Sequence, residues 1–239
     1  MAAWMTLDDV NSEDAGLHVL GYPPRAVPRR KAKNAKAPGG ETIWIYDGEW
    51  GYEDMILPVT FYMREDADVE AALAFLQPGS RKIVFGDQPE WQLVGRVDDQ
   101  IELEKLLREK QNRRFKANFT CRPFRTLAAP GEDVVLTGNG SILHPGTYRA
   151  LPQITVEGSG EGVITTHLTE DFVITGMEAG KPLVIDSAAM IVTDAAGIVN
   201  KSHLCSGDYP VLLPGGNDIR ISGGITRLTI RPNLAWMGR

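Results

Sequence analysis

Apolar residues recur along this chain mostly with a period of two, and that period predicts strands. From Arg114 to Cys121 charged or polar residues alternate with apolar ones, the pattern of a half-buried strand. Residues 42–46, Thr-Ile-Trp-Ile-Tyr, are β-branched and aromatic and end at Asp47-Gly48, a hairpin signal. Residues 55–62 predict a second strand, whose Pro58 implies an edge or a bulge. Residues 82–85 and 91–97 predict two more. One stretch changes period: Val69, Ala72, Leu73 and Leu76 fall at i, i+3, i+4 and i+7 and predict a helical face. Asp66 or Asp68 can accept from the free N–H groups at its start, and Pro78-Gly79 stops it. Residues 102–110 have helical composition over a short length. The first part of the chain reads as a small α+β unit.

Beyond it the pattern is almost purely β. Short apolar runs occupy 133–136, 153–156, 163–168, 172–175, 183–185, 190–193, 218–221 and 226–230. Gly138-Asn139-Gly140, Gly158-Ser159-Gly160, Glu178-Ala179-Gly180, Ala196-Gly197 and Pro214-Gly215-Gly216-Asn217 separate them as turns. About eight short strands at near-regular spacing predict a sandwich or jelly roll.

Charge sharpens the division. The charged fraction falls from about a third before residue 126 to about a sixth after it, a boundary signal. It predicts domains at 1–126 and 127–239, with Ala128 to Glu132 as the linker or turn. The whole chain has 239 residues and a formal charge of −6, with 43% hydrophobic and 23% charged residues, which is globular usage. Such a balance argues against wholesale binding to nucleic acid or anionic membranes. The first residues lack the basic and apolar regions of a secretory signal, and no apolar run is long enough to cross a bilayer, so a soluble protein is expected. Cys121 and Cys205 lie far apart and outside any CxxC frame, which suggests neither a disulfide scaffold nor a zinc site.

Candidate chemistry is sparse. His18, His144, His167 and His203 form no metal-binding spacing, and no cofactor is implied. Gly158-Ser159-Gly160-Glu161-Gly162 lacks the Gly-Lys-Ser/Thr ending of a phosphate loop, and a tight turn is the better reading. Asp186 and Asp208 are the best candidates for a glycosidase pair, against the commoner role of aspartate as a turn acceptor. Trp44, Trp50, Trp91, Trp236, Tyr148 and Tyr209 are candidates for stacking on sugars, against burial in a core. No catalytic residue is assigned, and an enzyme is not expected.

The most unusual segment runs from Tyr22 to Gly40. It holds Arg25, Arg29, Arg30, Lys31, Lys33 and Lys36 and no acid. Its prolines and glycines are expected to forbid a regular element. Three readings stay open: a nucleic-acid arm, an arm reaching an acidic neighbouring subunit, and a solvated loop.

In its order of features the chain resembles the distal tail proteins of phages with flexible, non-contractile tails. The resemblance rests on the Pro-rich loop, Gly-Gly before Trp44-Ile45-Tyr46-Asp47-Gly48-Glu49-Trp50, Lys82-Ile83-Val84-Phe85-Gly86-Asp87, and Phe115 to Phe119 followed by Thr120-Cys121-Arg122-Pro123-Phe124. It continues in Leu151 to Gly160, Val184-Ile185-Asp186-Ser187, Ser206 to Leu212, Leu213 to Ile219 and Gly223 to Pro232. The resemblance implies a structural virion protein at the tail tip, made in the host cytoplasm. It implies a homo-hexameric ring formed by the N-terminal domain, with a galectin-like β-sandwich at its periphery. The implied partners are the major tail protein of the tube, the tail-tip hub protein and receptor-binding proteins, with DNA only in transit through the bore. The basic residues from Arg25 to Lys36 are the candidate subunit contact. The alternative is a carbohydrate-binding module aiding adsorption to the host cell wall.

Overall fold

The structure, a computed structural model, describes residues 3–36, 39–40, 42–48, 50–64, 67–97, 113–129, 131–166 and 171–239. It is mainly β, as its alternating pattern predicts. It divides into two compact units, Met1–Ala128 with Met237–Arg239, and Ala129–Trp236.

The first unit contains β1 (Met5–Leu7), β2 (Val10–Asn11), β3 (Leu17–Gly21), β4 (Ala32–Lys36), β5 (Thr42–Tyr46), β6 (Met55–Met63), α1 (Val69–Phe75), β7 (Arg81–Phe85), β8 (Trp91–Val97) and β9 (Arg114–Leu127). Its main sheet has the strand order β2-β1-β7-β8-β9-β6-β3. Ala3, just before β1, bridges Val19 in β3, so the sheet curls until its two ends meet. The inner face follows from the period of two: Met55, Leu57, Val59, Phe61 and Met63 of β6 are all buried, and Ala117, Phe119 and Cys121 of β9 join them. A fully buried Phe61 or Phe119 contributes about 1.5–3 kcal/mol of hydrophobic stabilisation. Pro58 pairs with Asn118, but β3 reaches β6 only from Thr60 onward, so Pro58 occupies a locally one-sided stretch.

Asp68 caps α1 by accepting from the Glu70 N–H at 3.0 Å. Asp66 lies outside the described residues. Val69, Ala72 and Leu76 of the predicted stripe pack on the core together with Phe75, whereas Leu73 is 41% exposed. Only Leu73 departs from the predicted stripe: the bulk of Phe75 claims the core, and Leu73 turns outward. The predicted helix at 102–110 lies outside the described residues.

The second unit contains β10 (Val134–Leu136), β11 (Gly140–His144), β12 (Gln153–Thr165), β13 (Phe172–Met177), β14 (Leu183–Asp186), β15 (Ile191–Asp194), β16 (Cys205–Ser206) and β17 (Gly215–Arg231). A final short strand, β18, is Ala235–Met237. Here the sequence-based segmentation needs correction. The runs at 153–156 and 163–168 belong to one strand through Thr165, and those at 218–221 and 226–230 to another. Gly158-Ser159-Gly160 is not a turn between strands but a corner within β12.

β12 and β17 pair along most of their length, with the register shifting near Gly158–Gly162. Before the corner β12 pairs with β14, and after it with β13. β17 likewise pairs with β11 at its start and β10 at its end. The sheet thus doubles over, and both halves feed one core containing Ile154, Val156, Ile164, Phe172, Leu228 and Ile230.

Glycine is required at the corner. A methyl group on Gly224 would meet the Ser159 carbonyl oxygen, and one on Gly158 would meet the carbonyl of Gly224.

Candidate functional site

The basic segment becomes ordered where its prolines end. Pro23, Pro24 and Pro28 cannot donate to a ladder, but no proline occurs from Arg29 to Lys36. Arg29 and Lys31 pair their backbones with Glu53 and Gly51, through Glu53 N–H to the Arg29 carbonyl (2.8 Å) and Lys31 N–H to the Gly51 carbonyl (2.9 Å). β4 then pairs antiparallel with β5, from Ala32 opposite Tyr46 to Lys36 opposite Thr42. The expectation that no regular element forms here is corrected for residues 32–36. The Asp47-Gly48 signal also pairs differently: β5 bonds back to β4 and not forward to β6.

This two-stranded ribbon is bare on both faces. Register assigns Ala32, Asn34, Lys36, Thr42, Trp44 and Tyr46 to one face, and Lys33, Ala35, Ile43 and Ile45 to the other. Trp44 is 65% exposed, and Ile43, Ile45 and Tyr46 are exposed with it. Arg30 lies over the Tyr46 ring, 4.7 Å from its centroid, and donates to the Gly48 carbonyl at 3.3 Å. The six predicted contact residues, Arg25, Arg29, Arg30, Lys31, Lys33 and Lys36, are all exposed. The ribbon brings Arg30 to Lys36 together in one small element, while Arg25 lies before it. Beside its root, a cleft of about 430 Å³ is lined by Val27, Arg29, Glu53, Asp54 and Ile56 among others. A two-stranded ribbon is marginal alone in water, so apolar side chains on both of its faces call for a cover.

The other candidates have structural surroundings. Asp186 accepts from the Ala188 and Ala189 N–H groups, both at 2.9 Å, as a turn aspartate does, and Asp208 is exposed. The His144 ring is buried; its Nε2 donates to the Tyr148 carbonyl (2.7 Å) and its Nδ1 accepts from Gly146 N–H (3.1 Å). Burial holds its pKa below the usual histidine value. His18 contacts Glu13 at 2.7 Å, His203 is exposed in a short 3-10 turn, and His167 lies outside the described residues.

Among the described residues no group of three or more His, Cys, Asp or Glu side chains converges as a metal site would require. Burial pushes the thiols of Cys121 and Cys205 up to about 12 and about 11. Of the aromatic candidates, Tyr148 is buried, Trp236 meets His144 edge-on, Tyr209 packs on Phe172, and Trp91 is covered by Arg125 at 4.3 Å.

No family model matches the chain, and no curated protein sequence does. Among solved structures it is similar to the one described as "Crystal Structure of SPP1 Dit (gp 19.1) Protein, a Paradigm of Hub Adsorption Apparatus in Gram-positive Infecting Phages". The two share 15% sequence identity with a TM-score of 0.69, over 97% of this chain and 99% of the other. At that identity the likeness is one of fold, and it extends over both units.

Proposed function

We propose that this chain is a distal tail protein of a flexible, non-contractile phage tail. On this reading it is a structural virion component without catalytic activity. Six copies close a ring at the tail tip, between the tube of major tail protein and the hub, and DNA passes through the bore. The first unit forms the ring, and the second is a galectin-like sandwich at its periphery. The observation that carries the reading is the fold-wide likeness to SPP1 Dit, end to end in both chains. A domain shared by unrelated proteins would match over one unit only.

The ribbon β4–β5 supports the same reading. A closed ring of identical subunits needs heterologous contacts, and an exposed ribbon with apolar residues on both faces is suited to packing on a neighbour. Arg29, Arg30, Lys31, Lys33 and Lys36 would then face a copy of a net-acidic chain.

Light scattering on a size-exclusion column, with negative-stain images of the peak, tests the proposal. A six-fold ring with a central hole is expected, formed alone or on addition of the tube protein. Replacing Arg29, Arg30 and Lys31 by glutamate should weaken it. A chain that stays monomeric with the tube and hub proteins present would overturn the reading, and a glycan screen would follow.

A further inference from the structure

The cleft beside the ribbon root exists because two neighbouring strands part. β3 reaches β6 only from Thr60 onward, so over Met55–Val59 β6 is paired on its β9 side alone. The chain leaves β3 at Gly21 and comes back to this edge at Arg29, whose carbonyl accepts from the Glu53 N–H at 2.8 Å. The gap of about 430 Å³ is lined by residues 26–29 from one segment and 53–56 from the other. Pro28 has no N–H, which removes one donor that could have closed it. Two aliphatic side chains at the gap are bare, Val27 at 81% and Ile56 at 68% exposure. Glu53 and Asp54 add two exposed carboxylates, and Arg29 is the one cation among the lining residues. Asp54 also borders a second cleft with Arg96 and Arg122, which leaves Glu53 as the stronger acceptor.

One face of the ribbon is the chemical counterpart. Register sets Lys33 opposite Ile45 and Ala35 opposite Ile43, so this face presents a lysine among two exposed isoleucines. Two aliphatic side chains and a cation on the ribbon match two aliphatic side chains and an acid at the cleft. Among the described residues neither the Lys33 ammonium nor the Glu53 carboxylate has an ion pair or hydrogen bond within its own chain. Apolar contact supplies the burial, and the opposite charges fix the orientation.

A ribbon cannot fill the cleft from which it grows. Its pairing runs from the Arg30–Tyr52 bridge outward to Lys36 opposite Thr42. The six residues from Arg29 to Ala35 therefore lead away from the cleft by about 20 Å. Each copy thus carries a donor and an acceptor that cannot meet each other. A contact joining two different patches of identical subunits is heterologous and repeats head to tail, as a ring demands.

We infer that the Lys33–Ile43–Ile45 face of the ribbon docks in the Val27–Glu53–Ile56 cleft of a second copy of this chain. The inference rests on the ring reading and names the face and its acceptor. The opposite face, with Trp44, is left to the wider ribbon contact proposed above.

The test uses the full chain, with the tube protein added where the wild type needs it to assemble. Lys33→Glu and Glu53→Lys are made singly and together, and circular dichroism melts check that all three are folded. Each single variant should need about fivefold more protein than the wild type to assemble, read by light scattering. The double variant should return to within about twofold of the wild type, because the exchanged charges attract again. Raised salt should narrow the difference between single and double variants. A cysteine pair, Val27→Cys with Ile43→Cys, reads the contact without changing charge. Within one copy the ribbon holds these positions too far apart to bridge. Mild oxidation should therefore give a ladder of linked copies, absent from either single cysteine variant. Wild-type assembly by both single charge variants, or a cysteine pair that stays unlinked, overturns the docking and leaves the ring reading standing. A wild type that forms no ring with tube and hub proteins present overturns the ring reading and the docking with it. If the single charge variants form wild-type rings but lose binding to the tube protein, ribbon and cleft serve the tube, and the inference is overturned.

Discussion

Arg239 and Asp87, 152 positions apart, form a two-pronged ion pair at 2.7 and 3.0 Å inside the first unit. The Arg239 side chain is only 3% exposed. Its guanidinium lies 4.5 Å from the centre of the Phe85 ring and also donates to the Pro23 carbonyl, while its backbone N–H donates to Ala26. Residues 237–239 are thereby fixed to the unit formed by the first half of the chain.

Removing one member of this pair leaves a largely buried charge or its partners unmatched. Arg239→Ala is expected to destabilise the protein by about 1–3 kcal/mol, below the range for fully buried pairs because Asp87 is partly exposed. Urea unfolding measures the loss. A double-mutant cycle with Asp87→Asn should return a coupling above about 0.5 kcal/mol, the level expected of contacting residues. Additive effects would show that the pair contributes little beyond packing.

His144 makes stability depend on pH. The folded state holds the neutral ring, with Nδ1 accepting from Gly146, and burial keeps its pKa below the 6.5 of an unfolded histidine. Below that value the unfolded state binds the extra proton more readily, so stability is complete above pH 6.5 and declines as pH falls beneath it. Urea midpoints taken from pH 7.5 down to pH 5 should fall, and His144→Gln should flatten that dependence. An unchanged slope in the variant would assign the effect to other groups.

The corner of the second unit should tolerate no side chain. Gly224→Ala drives a methyl into the Ser159 carbonyl and is expected to cost about 1–3 kcal/mol. Gly216→Ala is the control, since nothing lies within 4 Å of the added methyl. Equal denaturation midpoints for the two variants would refute the close crossing of β12 and β17.

Trp44 separates assembly from folding. The side chain is exposed on the ribbon, so Trp44→Ala should change stability by less than about 0.5 kcal/mol, the range of ordinary surface substitutions. Ring formation should weaken, as seen by light scattering. A large loss of stability with intact assembly would mean that Trp44 supports the fold of its own subunit.

Neither thiol should react readily in the folded protein. Cys121 is fully buried and Cys205 half-buried, with both pKa values raised by burial. A thiol-specific dye at pH 8 should label Cys205 slowly and Cys121 only on unfolding. Rapid labelling of Cys121 would indicate local opening of β9.

Much of this architecture follows from the sequence alone. The alternation at Arg114 to Cys121 and through 55–62 dictates which side chains turn inward, because successive residues of a strand face opposite sides. Asp68 as a helix cap and Pro78-Gly79 as a stop are equally local. The six basic residues from Arg25 to Lys36 are visible as a cluster before any coordinate is known.

Pairing is another matter. A strand's partner depends on distant residues, so β5 bonding to β4, and Ala3 meeting Val19, carry no local signature. Gly158-Ser159-Gly160 reads as a turn because glycine serves a reversal and a close crossing through the same lack of a side chain. Only the approach of Gly224 distinguishes them. The burial of Arg239 belongs to the same class. The period of two assigns each residue to a face, and the tertiary structure alone decides which faces, charges and distant segments stand side by side.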